Sequence, residues 1–301
     1  MHHDPLSGLL RRLELRAEIF KHARYCGAWA VDTSGMRMAP FHLIQEGNCW
    51  LHVEGRPPVE LTPGDLVILP RDSGHVVSAS ADRPARDNIN RATDVERAAA
   101  DNVMLCGFFE FGGRIAWPVL DSLPDAVIVR RGESGIDALV SLIFEELDGA
   151  RLGSYAVLEF LAHALFVQVI RAAARQGFEA GLLSALADPK LGPVLGRIHA
   201  EPARPWTLAE LADAAALSRT AFAEQFRNRV GEPPMRYLNL WRLQVARDLL
   251  LGSDLSVAQV AERVGYTSDV SFRQKYRQEM GMTPSAARRA ARSESENTGK
   301  T

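Results

Sequence analysis

Cysteine is scarce in this chain, and so are long apolar stretches. Its 301 residues include three cysteines, Cys26, Cys49 and Cys106, which are too few and too scattered for a disulfide framework or a zinc finger. No run reaches 18 apolar residues, so we expect neither a membrane-spanning helix nor a membrane partner. The N-terminal sequence has no basic segment followed by an apolar core, so we expect no secretion signal. These absences predict a cytoplasmic protein.

Charge is unevenly distributed along the chain. A hydrophobic fraction of 47% and a charged fraction of 24% exclude fibrous and wholly disordered classes. The net charge of −2 conceals −7 on residues 1–189 and +6 on residues 190–292. A basic region beside an acidic one predicts a polyanionic partner for the C-terminal third, with chance clustering as the alternative.

Short strands are predicted for the first 130 residues. From about residue 14 to 80, runs such as FHLIQ, CWLHV and DLVILP alternate with Gly and Pro turns, a pattern typical of an antiparallel sandwich or barrel. Further strands are predicted at 102–111 and 126–130. Residues 81–101 are charged and predict a loop, while Asp4 and Pro5 predict the start of a short helix.

Helical periodicity begins after Gly135. Helices are predicted at 136–149 and 154–176, and the second is apolar on more than one face. Such a helix needs two apolar partners, which we interpret as its own β domain and a second subunit. The sequence therefore predicts a homodimer with Leu161 and Leu165 in the subunit contact. A helix wholly inside the monomer is the alternative.

The C-terminal third contains a near-repeat. Residues 206–234 align with residues 255–284, at an offset of 49 before a turn and 50 after it. Each copy has a short apolar-striped helix, a turn, a serine in N-cap position and a second helix with an aromatic pair. This layout predicts two helix-turn-helix motifs, at about 207–229 and 256–280. The helix between them, 233–251, is long enough to place two recognition helices about one DNA turn, roughly 34 Å, apart.

The polar faces of the two second helices predict contacts with DNA. Arg and Gln side chains form paired hydrogen bonds with guanine and adenine edges, and cationic side chains bind phosphates. The predicted base contacts are Arg219, Thr220, Ala223, Glu224, Asp269, Val270, Arg273 and Gln274. The predicted phosphate contacts are Ser218, Arg227, Arg229, Ser268, Lys275 and Arg277.

Residues 193–290 resemble the DNA-binding domain of the AraC/XylS family of bacterial transcription regulators. The segment GYTSDVSFRQKYRQEMGMTPSAARR carries the resemblance, with Gly265, Phe272, Tyr276, Gly281 and Pro284 on the family's structural positions. The resemblance implies that both motifs bind adjacent major-groove segments of double-stranded promoter DNA, with RNA polymerase as a candidate partner. One departure is Ala216, which stands where the first turn usually has glycine. A positive φ there would cost about 1 kcal/mol.

The strand-rich region resembles the cupin-like sensor domain that many AraC-type regulators carry. The segments FHLIQEG and PGDLVILPRDSGH carry this resemblance, which implies a small barrel holding one ligand. Enzymatic cupins bind a metal through three histidines and a glutamate. Here Pro40 occupies the glutamate position and only His75 remains of the four ligands. We therefore expect no enzyme activity and no cofactor.

An unknown small-molecule effector is the predicted ligand of this domain. The candidate pocket residues are His42, Trp50, His52 and His75. Together with Cys49 and Cys106, the histidines would also suit zinc, but we assign no metal site. Metal sensing, and a domain that serves mainly dimerisation, are the alternatives.

The predicted fold is multidomain α+β. A cupin-like antiparallel β-barrel with flanking helices is followed by an all-α domain with two tandem helix-turn-helix motifs. The predicted function is an effector-responsive, sequence-specific transcription regulator. The alternative is a metal- or ligand-binding cupin whose helical domain binds a protein. The predicted boundaries are 1–135 for the sensor domain, 136–192 for the dimerisation segment and linker, 193–290 for the DNA-binding domain and 291–301 for a disordered tail.

Overall fold

The structure, a computed structural model, forms two compact units. It describes residues 5–10, 12–13, 15–90, 100–112, 116–133, 135–149, 151–177 and 181–290. The β unit comprises residues 15–111 and 123–178, and the helical unit comprises residues 1–14, 112–122 and 179–301. The predictions for Asp4, for residues 91–99 of the loop and for the tail 291–301 lie outside the described residues.

Two antiparallel sheets make up the core of the β unit. The strands are β1 (Leu15–Tyr25), β2 (Ala30–Val31), β3 (Ala39–Glu46), β4 (Cys49–Val53), β5 (Val59–Leu61), β6 (Leu66–Ile68), β7 (His75–Ser78), β8 (Asn102–Phe111) and β9 (Val127–Val129). One sheet has the order β1-β8-β3-β6-β9 and the other the order β2-β7-β4-β5. The predicted strands at 102–111 and 126–130 are confirmed by β8 and β9.

Alternate side chains of these strands fill the space between the sheets. Ile44 of β3, Met104 of β8 and Leu51 of β4 belong to one buried cluster, as expected where successive side chains point to opposite faces. Trp29 stacks on Tyr25 in this cluster, with ring centroids 4.7 Å apart. The indole nitrogen of Trp29 donates a hydrogen bond to Asn102, so its polar atom is satisfied despite burial.

Helices α3 (Ile136–Gly149) and α4 (Ser154–Gln176) complete the β unit, and both have the predicted bounds. Helix α4 packs on β1 and β9. The segment Ser154–Arg175 also has the length and mean hydropathy, 1.6, of a membrane span, although its apolar residues do not form an uninterrupted run. Length and composition alone are weak grounds for a span, since core helices of folded domains share them.

The outward face of α4 differs from the predicted dimer face. Leu165 is fully buried and Leu161 is half-buried, so this side of the helix packs inside the β unit. Tyr155 and Phe160 are instead 86% and 74% exposed. Helical periodicity identified an apolar stripe, but the packing decides which stripe faces outward.

The helices of the helical unit come from widely separated parts of the sequence. They are α1 (Pro5–Leu10), α2 (Ala116–Leu120), α5 (Leu182–Ala187), α6 (Leu191–Ala200), α7 (Leu208–Ala214), α8 (Arg219–Val230), α9 (Pro234–Gly252), α10 (Val257–Arg263), α11 (Asp269–Met280) and α12 (284–290). The two units thus differ from the predicted division at residues 135 and 192.

The N-terminal segment belongs to the helical unit because its contacts lie there. Helix α1 packs against α5 and α6, which buries Leu9 and Leu13 completely. Arg12 forms an ion pair of 2.8 Å with Asp248 of α9, and its guanidinium lies 5.1 Å from the ring centroid of Trp241. These contacts join residues far apart in the chain, which is why local sequence patterns did not predict them.

Candidate nucleic-acid interface and histidine cluster

The two predicted helix-turn-helix motifs are α7 with α8 and α10 with α11. In each motif the second helix begins at a serine cap: the hydroxyl oxygens of Ser218 and Ser268 accept hydrogen bonds from Ala221 N and Ser271 N, both at 3.3 Å. Each first helix begins with a capping box, from Thr207 in one copy and Ser256 in the other. The duplicated caps satisfy backbone N–H groups that a helix start leaves open.

An aromatic pair anchors each second helix. The rings of Phe222 and Phe226 lie 5.5 Å apart, and those of Phe272 and Tyr276 lie 5.6 Å apart. All four side chains are fully buried, so the opposite faces of α8 and α11 point away from the core of the unit. The near-repeat in the sequence therefore corresponds to a duplicated structure.

The exposed faces carry most of the predicted base contacts. In α8, Arg219, Thr220 and Glu224 are exposed, and Ala223 is half-buried. In α11, Val270, Arg273 and Gln274 are exposed and Asp269 is half-buried. The structure thus brings these residues to two accessible helix faces, each within one motif.

The predicted phosphate contacts fall into two groups. Arg227 and Arg277 are exposed near the ends of their helices. Arg229 is exposed as well, but one terminal nitrogen of its guanidinium donates a hydrogen bond of 2.8 Å to the hydroxyl of Ser184. Lys275 lies 3.1 Å from the carboxylate of Glu279, whose side chain is 7% exposed. Arg229 and Lys275 therefore already have partners inside the helical unit. The spacing of residues in the sequence did not predict these partners.

Inside the β unit, His42 and His75 form a buried polar cluster. His75 Nδ1 lies 2.9 Å from the Ser73 carbonyl oxygen, which only accepts, so this nitrogen donates. In neutral His75, Nε2 is then an acceptor, and His42 Nε2 donates to it across 3.1 Å. His42 Nδ1 is left to accept the thiol proton of Cys106, whose sulfur lies 3.2 Å away. One neutral tautomer of each ring is thus consistent with all the hydrogen bonds from Ser73 to Cys106.

Burial keeps both rings of this cluster neutral. Desolvation lowers the pKa of His42 well below its usual 6.5, and the nearby His75 lowers it further. Desolvation also lowers the pKa of His75, partly offset by its bond to Ser73 and by the charges of Asp32 and Asp72. The cluster is therefore polar but uncharged near neutral pH.

Trp50 and His52 do not join this cluster. They alternate along β4 with Cys49, Leu51 and Val53, which point into the core, so their side chains lie on the opposite face. His52 Nε2 is 2.9 Å from the hydroxyl of Ser78. Of the four candidate pocket residues, the structure brings together two.

The side chains near His75 do not fit the metal of cupin enzymes. The Nε2 atoms of His42 and His75 meet the hydroxyl of Thr33, at 3.2 Å and 3.0 Å, and the thiol of Cys106 lies on the far side of the His42 ring, at Nδ1. Among the described residues, no group of three or more His, Cys, Asp and Glu side chains is arranged for a metal ion. A transition metal prefers three or four N, S or carboxylate ligands, and the two Nε2 atoms with a hydroxyl do not provide such a set.

Two family models match the chain. A cupin model matches residues 4–175, and a helix-turn-helix domain model matches residues 211–290. An AraC-like transcription regulator of Streptomyces lividans is 32% identical over 293 residues, which cover 93% of this chain and 96% of the relative. This chain belongs to the AraC-like family of transcription regulators. The predicted resemblance and the α+β fold class are confirmed.

Other relatives of the regulator are also named as transcriptional regulators. The transcriptional regulator AlkR of Acinetobacter baylyi is 28% identical over 93% of this chain and 97% of its own. Among solved structures, the DNA-binding domain of AdpA in complex with a target DNA is 34% identical, covers 36% of the regulator and 96% of that chain, and has a TM-score of 0.34.

The regulator also has a cleft that the sequence did not predict. Its volume is about 730 Å³, within the range of small-molecule sites. Ile19, His22, Leu147, Tyr155 and Leu158 are among its lining residues. The cleft lies between β1 and the turn joining α3 to α4, and only the tertiary fold brings these segments together.

Proposed function

We propose that the regulator acts in the cytoplasm as a homodimer that binds promoter DNA through α8 and α11. Occupation of the β unit by a small-molecule effector would change this binding. The observation that carries the proposal is the duplicated pair of capped helices with accessible polar faces, joined by α9. Nineteen residues of α9 span roughly 28 Å, a length suited to adjacent major-groove segments.

In this proposal the exposed faces of α8 and α11 read base edges. Arg219 and Thr220 serve α8, while Arg273 and Gln274 serve α11, because Arg and Gln match guanine and adenine in the major groove. Arg227 and Arg277 bind phosphates, as do the capped helix starts at Ser218 and Ser268, where backbone N–H groups and the helix dipole favour anions.

The exposed apolar face of α4 supports a second copy of the chain as partner. Tyr155 and Phe160 of α4 and Leu152 of the turn before it are each more than two-thirds exposed, and Leu142 of α3 is 49% exposed. Large exposed apolar side chains on adjoining elements are typical of interaction surfaces. A symmetric dimer would place the same residues of both copies against one another.

For the effector, two locations in the β unit are candidates. One is the His42–His75 cluster, where Thr33 adds a hydroxyl, and the other is the cleft beside His22. An effector acts as a switch only if it binds one state of the regulator more tightly than the other. The proposed mode of action is a shift in DNA affinity, with no catalysis, and RNA polymerase as the partner at the promoter.

The test is selection of genomic fragments by the full-length protein, with excess competitor DNA at physiological salt. We expect one fragment class to be enriched at least about a thousandfold over background. Genes beside it then nominate effectors, whose binding is measured by thermal shift on wild type, His42→Gln and His22→Gln. Uniform, weak and salt-sensitive binding, unchanged by any effector, would contradict the proposal.

A further inference from the structure

Asp269 and Arg273 form an ion pair on the exposed face of α11. Arg273 Nε lies 3.0 Å from one carboxylate oxygen of Asp269 and 2.9 Å from the other. The two side chains are 46% exposed for arginine and 39% exposed for aspartate. An exposed ion pair at this spacing contributes little to the free energy of unfolding. Stability therefore does not account for the pair.

The pair leaves the recognition end of Arg273 available. A guanidinium carries one N–H on Nε and two on each terminal nitrogen. Asp269 holds the Nε side, and the terminal nitrogens make no hydrogen bond to any described residue. Because the guanidinium is planar and rigid, fixing Nε also fixes the plane of the two terminal nitrogens and reduces the number of rotamers that Arg273 samples.

Two parallel donors of this kind match one base edge in the major groove. Guanine presents two acceptors, N7 and O6, whereas adenine presents an acceptor and a donor, and cytosine presents a donor. We infer that Asp269 is a positioning residue that holds Arg273 for paired hydrogen bonds to a guanine. The inference rests on the proposed entry of α11 into the major groove.

The first motif has no equivalent of this device. At the offset of 50 residues, Asp269 corresponds to Arg219 and Arg273 corresponds to Ala223. Helix α8 therefore presents an arginine at its first turn with no acid one turn away in the corresponding place. The two motifs are expected to read different half-sites, with the oriented guanine contact confined to the one bound by α11.

A purely structural role for Asp269 makes a different prediction. Asp269 is the first residue of α11, where a negative charge also interacts favourably with the helix dipole. Losing only that effect would weaken binding to every sequence equally. A positioning role instead changes the preference at one base pair, so base preference is the readout that separates them.

The experiment uses the full-length protein and the operator recovered from genomic DNA. Dissociation constants are measured at constant salt on duplexes carrying each of the four base pairs at each position. The variants are Asp269→Ala, Asp269→Asn, Arg273→Ala and the double Asp269→Ala/Arg273→Ala. The matched control is Glu232→Ala, which removes a pair of the same spacing, where Arg236 Nε lies 2.8 Å from Glu232.

We expect wild type to prefer guanine at one position by about tenfold to a hundredfold. Arg273→Ala should abolish that preference. Asp269→Ala should reduce it several-fold at the same position, and the double variant should lose no more than Arg273→Ala alone. Asp269→Asn, which keeps an oxygen acceptor for Nε, should retain part of the preference. Glu232→Ala should leave the preference intact.

Two results would overturn the inference without touching the proposed function. One is a uniform change in affinity for Asp269→Ala, in either direction, with the guanine preference retained. The other is a loss of preference at different positions for the two single variants. If wild type selects no operator, the proposed function fails first, and the inference fails with it.

Discussion

Ala216 and Gly265 occupy equivalent turns of the two helix-turn-helix motifs, and both have positive φ, 53° and 86°. Glycine adopts this conformation without penalty, whereas alanine does so at a cost of about 1 kcal/mol. The sequence predicts backbone strain at Ala216 if its φ is positive. Because φ is positive, this strain is present. The turn itself still forms, with Ala216 N donating to the carbonyl of Asp213.

Replacing Ala216 with glycine should stabilise the helical unit. Relief of the positive φ outweighs the entropy that glycine adds to the unfolded chain, so we expect the free energy of unfolding to rise by up to about 1 kcal/mol. Chemical denaturation measures it. Ala214→Gly is the matched control: Ala214 is the last residue of α7, where glycine relieves no strain and should cost up to about 0.5 to 1 kcal/mol. Equal losses in both variants would reject the strain.

Replacing Gly265 with alanine should have the opposite effect. An added Cβ would lie 2.5 Å from the backbone carbonyl oxygen of Ala203, and φ would remain positive. We expect a loss of about 1 to 3 kcal/mol, together with weaker operator binding, because the turn sets the angle between α10 and α11. A thermal melt that matches wild type would show that the backbone adjusts freely.

The His42–His75 cluster should make stability depend on pH below neutrality. Both pKa values are lowered from 6.5 in the folded chain, so below pH 6.5 the unfolded chain binds more protons. The free energy of unfolding therefore falls with falling pH, by up to about 1.4 kcal/mol per pH unit for each histidine. Denaturation of wild type and His42→Gln at pH 7, 6 and 5 measures the two slopes. Parallel curves would contradict a role for His42.

Adding a charge at Phe160 should separate the proposed dimer. Phe160→Glu places a carboxylate in the exposed apolar face, so sedimentation should report a monomer with an unchanged far-UV spectrum. Leu165→Glu, at a fully buried position, should instead unfold the β unit. Asn88→Glu, a charge added at an exposed turn, should leave the dimer intact. A dimeric Phe160→Glu variant would exclude this face of α4.

The salt dependence of operator binding should distinguish Arg277 from Arg229. Arg277→Ala removes an exposed cation, so we expect the slope of log K against log salt to fall by about 0.9. Arg229→Ala should lower the slope less, because the bond to Ser184 holds one terminal nitrogen of this guanidinium inside the helical unit. An equal loss of slope for Arg229→Ala would mean that the bond to Ser184 breaks on DNA.

Local sequence patterns predicted the elements whose cause is local. Helices α3 and α4 follow from helical periodicity, β8 from a continuous apolar run, and the serine caps from residues three positions apart. The direction in which a side chain points was harder to predict from the sequence. Trp50 and His42 looked equivalent in sequence, yet the register between β4 and β7 places Trp50 opposite Ser78, on the face turned away from His42.

Tertiary contacts determined what sequence patterns could not. Helix α4 is apolar nearly all round, so periodicity could not decide between Leu165 and Phe160 as its outward residue. The partner of Arg229 lies 45 residues away, and the partner of Arg12 lies 236 residues away. Such pairs form only in the completed fold, so the spacing of residues in a single sequence does not predict them.

The docking of α1 and Arg12 on α5, α6 and α9 has a practical consequence for dissecting the regulator. The chain passes between its two units after residues 14, 111, 122 and 178, so a single cut cannot release an intact helical unit. A fragment that begins at residue 181 lacks Leu9, Leu13 and the ion pair to Asp248, and leaves apolar side chains of α5 and α6 uncovered. Low solubility of such a fragment would reflect the missing N-terminal segment, and adding residues 5–13 as a separate peptide is the corresponding remedy.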